Sequence, residues 1–157
     1  MILNKKLTKK TSGFTIVELL IVIVVIGILA AITIVAYNGV QNKGKSSAAQ
    51  AAANSVIKKA ELYNVDPAVP AGYPILGSNL TTAAATATYA LSGVTINTGT
   101  AMANGTAPAT PNTVDFYTCG ATVGNKIGYY DYVNNVVAFA YTAGVNSGTA
   151  GCTKTAS

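Results

Sequence analysis

"KKTSGFTIVELLIVIVVIGILAAI", residues 9–32, decides how the rest of the chain is read. The apolar run that starts at Phe14 continues to Tyr37, with Thr15, Glu18 and Thr33 as its polar interruptions. About 20 such residues span a bilayer as a helix. The run therefore predicts a membrane-spanning helix over residues 14–37. Glu18 is the anomaly within it, because a carboxylate in hydrocarbon is costly. Either it snorkels to the headgroups from near the helix end, or it is kept for a partner.

Around this segment the composition is uneven. Hydrophobic residues make up 50% of the chain and charged residues only 10%, against about a quarter charged in ordinary soluble domains. The net charge is +5, but Lys5, Lys6, Lys9 and Lys10 all precede residue 11. The body after Gly13 is nearly neutral, with six lysines against five acids. A nucleic-acid reading based on overall charge loses its force. A secretory signal places its small-residue cut after the apolar stretch. Here the small residues Thr11, Ser12 and Gly13 come before it, so a cut there removes the lysines and keeps the helix. The lysine bias predicts a single pass with the N-terminus inside and the C-terminal body outside.

"GFTIVELLIVIVVIGILAAI", residues 13–32, resembles the prepilin N-terminus of type IV pilins, a superfamily that includes pseudopilins of type II secretion and competence pilins. The likeness rests on a short Lys-rich leader, Gly13 at the cut and Phe14 after it. Glu18 five residues into the product and the long apolar run complete it. It covers residues 1 to about 40 well and the remainder only in outline. The resemblance implies a leader peptide over residues 1–13, cut after Gly13 by an inner-face prepilin peptidase, and N-methylation of the new Phe14 amine. The precursor would be stored in the cytoplasmic membrane and then extracted by an ATP-driven machine into an extracellular helical filament of many copies. For Glu18 it implies an assembly role, with the carboxylate meeting the Phe14 amine of a neighbouring copy where low dielectric strengthens the attraction. One departure is Val35, where many bacterial pilins carry proline. Without proline's missing donor and kink, a straighter helix is expected.

Residues 38–66 read as a helical continuation. Ala49, Ala52, Ala53, Val56, Ile57, Ala60 and Tyr63 recur at three and four, forming one apolar stripe, with Lys45, Lys58, Lys59 and Glu61 facing elsewhere. Pro67 disfavours helical geometry at Asp66 and ends it. Residues 67–157 form a globular head. Residues 78–91 read as a short helix capped by Ser78 or as extended chain, 94–96 as a short strand, and 97–112 as a small, polar surface loop. Strands are expected at 114–119, 126–133 and 136–142, the last two joined through Asn134-Asn135 as a two-residue hairpin. In that arrangement Tyr130, Tyr132, Val137, Phe139 and Tyr141 share one face, expected to pack on the helical stripe. The fold expected is α+β, a long N-terminal helix against a small antiparallel sheet, pilin-like.

Cys119 and Cys152 are the two cysteines. An even count in an exported domain argues for a disulfide, which would contribute about 4 kcal/mol in the chain-entropy model. The resemblance agrees, since many pilins fasten a C-terminal loop this way. There is no His, and Glu61, Asp66, Asp115 and Asp131 are scattered along the body. No triad, metal cluster, phosphate-binding loop or cofactor site can be assembled from them, so no catalytic activity is expected. The leading expectation is a structural pilus subunit supporting adhesion, motility or DNA uptake, with host or abiotic surfaces or DNA as possible targets. One alternative is a pseudopilin of a type II secretion or competence system; the absence of an acidic Ca²⁺-type loop near the C-terminus counts against it. Another is a membrane-tethered surface binding protein that never polymerises, which an uncleaved leader would favour.

Overall fold

A computed structural model describes residues 13–83, 86–146 and 148–155; the expected leader lies outside these residues except for Gly13. They divide into two units between Asn38 and Gly39, and helix α1 (Ile16–Val65) contributes to both.

In the first unit α1 is apolar on every side. Its large side chains are exposed, among them Leu20, Ile23, Ile26, Leu29 and Ile32. The helix is long and apolar enough to cross a membrane. Val35 is helical, as the absence of proline allows. Thr33 turns its hydroxyl back to the Ala30 carbonyl at 3.0 Å, so this polar group makes no demand on the apolar surroundings.

In the second unit α1 has a buried side. Ala49, Ala52, Ala53, Val56, Ala60 and Tyr63 are buried at helical spacing, with Ile57 packed partly against the same cluster. The helix stops at Asp66, whose amide donates to the Tyr63 carbonyl and whose Oδ1 accepts from the Ala68 amide at 2.8 Å. Helix α2 (Ser78–Thr81) is a single turn. Gly77, rather than Ser78, occupies its N-cap. A Cβ at Gly77 would come within 2.9 Å of Ile96 Cγ2.

The sheet has five strands: β1 (Thr95–Ile96), β2 (Thr113–Thr118), β3 (Asn125–Asp131), β4 (Val136–Tyr141) and β5 (Thr153–Lys154). The order is β1-β2-β3-β4, with β5 also pairing β2. All pairs are antiparallel except β1 with β2. The head is therefore a mixed, mostly antiparallel sheet against a long helix, the pilin-like architecture.

Two sheet expectations are corrected. The turn between β3 and β4 has four residues, Tyr132–Asn135, because the last pair is Asp131 with Val136. Asn135 still supplies the positive φ, 55°. The Asp131 carboxylate closes the turn, accepting from the Val133 amide at 2.9 Å, from Asn134 Nδ2 at 2.6 Å and from the Ser46 hydroxyl of α1 at 2.8 Å. Moving the pairing by two residues preserves which side chains share a face.

The face on the helix is the other one. Val114, Phe116 and Ile127 join Ala52, Ala53, Val56 and Ala60 in the core, with Tyr129 and Ala140 packed partly against it. Tyr130 and Tyr132 form a second cluster with Ala49, the first residue of the stripe, and with Met102 and Val137. Short helix side chains admit close approach, and aliphatic and small sheet residues fill the space with fewer voids than a row of tyrosines would. The tyrosine face is covered by the segment 97–112, which is irregular but well tied. Its Ala103–Thr106 turn carries Gly105 at φ 79°. The Asn104 side chain accepts from the Val137 amide at 2.8 Å, and the Gly105 amide donates to the Asn135 carbonyl at 2.8 Å. At the other end of β4, Glu61 of α1 accepts from the Ala143 amide and from the Tyr73 hydroxyl.

Candidate processing and assembly site

Gly13, Phe14 and Thr15 precede the helix and are exposed; Phe14 is 92% exposed. The Gly13–Phe14 bond thus lies in chain free of helical hydrogen bonding. A Cβ built at Gly13 meets no atom of the described residues within 4 Å. Packing among the described residues therefore places no demand for glycine at this position.

Helix formation starts immediately afterwards, and its first turn is built by two side chains. The Thr15 hydroxyl accepts from the Glu18 amide at 3.2 Å. Glu18 reaches back, its Oε2 accepting from the Thr15 amide and the Thr15 hydroxyl, each at 2.8 Å. This reciprocal pair is a capping box, which satisfies donors that a helix N-terminus otherwise leaves unpaired. The positive end of the helix dipole also favours a carboxylate here. Glu18 thus has local partners within its own chain, and among the described residues no cation reaches it.

Thr15 is the residue that the sequence reading missed. Its signal was present as Thr15-Ile16-Val17-Glu18, the spacing of a capping box before an apolar run. Gly13, Phe14, Thr15 and Glu18 lie in one continuous stretch at the helix start. The remaining predicted pair, Cys119 and Cys152, lies in the second unit and forms a disulfide. It joins the end of β2 to the segment just before β5. Among the described residues no group of His, Cys, Asp or Glu is placed to hold a metal.

Residues 8–34 match the model of the prokaryotic N-terminal methylation motif. No match to the chain was found among curated proteins or solved structures. The matched segment takes in Gly13, Phe14, Thr15 and Glu18 and most of the apolar half of α1. This N-terminal methylation motif and the long apolar helix that carries most of it match the type IV pilin and pseudopilin superfamily.

Proposed function

We propose that the chain is a structural subunit of a type IV pilus filament, cut after Gly13, methylated on the Phe14 amine and polymerised through the apolar half of α1. The observation that carries this reading is the methylation motif placed on a helix whose apolar side chains face outward all round. A single chain has no use for such a surface in water; a bilayer or a bundle of like helices does. That no described residue packs on Gly13 adds support, because a glycine not demanded by that packing fits a requirement set by the peptidase. The precursor is held by its apolar helix in the cytoplasmic membrane, with the head outside, and its partners are the peptidase, the assembly machinery and further copies of itself.

Glu18 is the assembly residue in this reading. Its carboxylate is held by Thr15 in the single chain. In the filament it exchanges part of that bonding for the Phe14 amine of an adjacent copy, a charged partner in dry surroundings. Electron microscopy of sheared surface fibres, with N-terminal sequencing of their subunit, tests the whole proposal. The expected start is methylated Phe14, and Glu18→Gln is expected to reduce fibre number strongly. A subunit that starts upstream of Phe14 and stays monomeric, or normal fibres from Glu18→Gln, would overturn it.

A further inference from the structure

The C-terminal segment carries a feature that neither the motif nor the disulfide explains. Asp115 of β2 is wholly buried, and its Oδ1 lies 3.5 Å from the ammonium of Lys154 on β5. The same ammonium donates to the Asn97 carbonyl at 2.9 Å and to the Gly99 carbonyl. Three acceptors thus surround a group with three donors. Asp115 is equally occupied. Asn97 Nδ2 donates to its Oδ1 and the Met102 amide to its Oδ2, both at 2.7 Å. One buried carboxylate therefore ties together β2, the 97–102 segment and the C-terminal tail.

We propose that Lys154 is a second lock on the tail, one that keeps residues 153–155 seated on β2 after the Cys119–Cys152 disulfide is reduced. In the chain-entropy account a disulfide acts mainly by restricting the unfolded chain. Opening it leaves the native contacts of β5 in place. Those contacts are the pairing of Lys154 with Tyr117 and of Thr153 with Thr118, and the Thr155 amide on the Phe116 carbonyl at 3.1 Å. Two paired residues are too few to hold a strand by backbone bonding alone. Lifting the tail would also strip Asp115 of its counter-charge, and a buried carboxylate without a cation is strongly disfavoured. The ion pair therefore opposes detachment in the native state, where cleavage of the sulfur link does not reach it.

The experiment is amide hydrogen exchange on the full-length protein in detergent micelles. It compares wild type with Lys154→Met, each before and after treatment with dithiothreitol, with thiol alkylation to verify reduction. The readout is the Thr155 amide. In reduced wild type it is expected to stay protected, and in reduced Lys154→Met to exchange at least about tenfold faster, the scale of a lost hydrogen bond to a charged group. The oxidised variant keeps its disulfide and is expected to retain the fold, so any loss on reduction is read within one sample. Loss of protection in reduced wild type would show that the disulfide alone holds the tail. Retention in reduced Lys154→Met would show that backbone pairing suffices. An oxidised Lys154→Met that fails to fold would make the ion pair primary rather than a second lock. Each of these three results overturns the proposal.

Discussion

Gly128 offers the sharpest test of the packing on the tyrosine face. It lies in the middle of β3, between Asp115 on β2 and Phe139 on β4. A Cβ added there would sit 3.2 Å from Phe139 Cε1, 3.3 Å from Asp115 Cβ and 3.5 Å from Tyr117 Cε2. The two rings meet edge to face over this position, with centroids 6.0 Å apart, and Lys126 Nζ lies 4.0 Å from the Phe139 ring centre. Two effects compete on substitution. Replacing glycine restricts the unfolded chain and stabilises by about 0.4–1 kcal/mol where the native conformation is compatible. Overpacking costs about 1–3 kcal/mol. Asp115 cannot yield, because its carboxylate is held by Asn97, Met102 and Lys154. The Phe139 ring must move instead. Overpacking therefore wins: Gly128→Ala is expected to destabilise by about 1 kcal/mol and Gly128→Val by about 2–3 kcal/mol. Urea unfolding of the full-length protein in detergent, followed by tyrosine emission, measures both; the chain has nine tyrosines and no tryptophan. Phe139→Ala should relieve Gly128→Val, so the double variant falls short of additivity by about 1–2 kcal/mol. A Gly128→Val protein as stable as wild type, or a strictly additive cycle, would refute the argument.

Two further predictions concern pH. Hydrogen bonds from Asn134, Ser46 and the Val133 amide hold the Asp131 carboxyl below its ordinary range. The stability this gives is present above the unfolded aspartate pKa and disappears as pH falls through the lower folded value. Below about pH 4 the Tyr132–Asn135 turn should therefore loosen, seen as shifts of the Val133 and Asn134 amide resonances; an Asp131→Asn variant should show no such transition. Burial, then the hydrogen bond to Glu61 and its charge, push the Tyr73 hydroxyl up to about 12. Its contribution is present below the unfolded tyrosine pKa and is lost as pH rises through that folded value. Tyr117 and Tyr132 are also pushed up, chiefly by burial, so ultraviolet titration should show several late-ionising tyrosines, of which Glu61→Gln shifts one to lower pH; a titration unchanged by Glu61→Gln would exclude the carboxylate as a cause.

The helix and its buried stripe were legible because period and composition agree there: small apolar residues at three and four, then Asp66-Pro67 to stop it. Strand positions were legible from alternation, but not which face turns inward. "KIGYYDY" places aromatic residues on both faces, so alternation alone fits either orientation. Gly128 held the answer, since a glycine on the face expected to be core leaves a gap that the structure fills with rings from the neighbouring strands. Strand β5 had no readable signal, because its two residues are set by long-range partners, Asp115 and Tyr117. The 97–112 segment reads as a small, polar surface loop, and its cover of the tyrosine face was hidden for a similar reason; its order comes from contacts to Asp115, Asn135 and Val137 rather than from its own composition. At the helix start, attention to the acid's charge hid its nearer role as partner to Thr15.

The ends of β4 carry a consequence for crowding. Thr142 donates to Asn125, so the amides of Val137, Phe139, Tyr141 and Ala143 point away from the sheet. Asn104 occupies the first of these and Glu61 the last. Among the described residues, what is left for a foreign chain to zip onto is a window of two amides, those of Phe139 and Tyr141. In the filament proposed above such blunted margins matter, because open strand borders invite lateral fusion. Removing either cap would lengthen that window and give a second chain more of the strand to pair with.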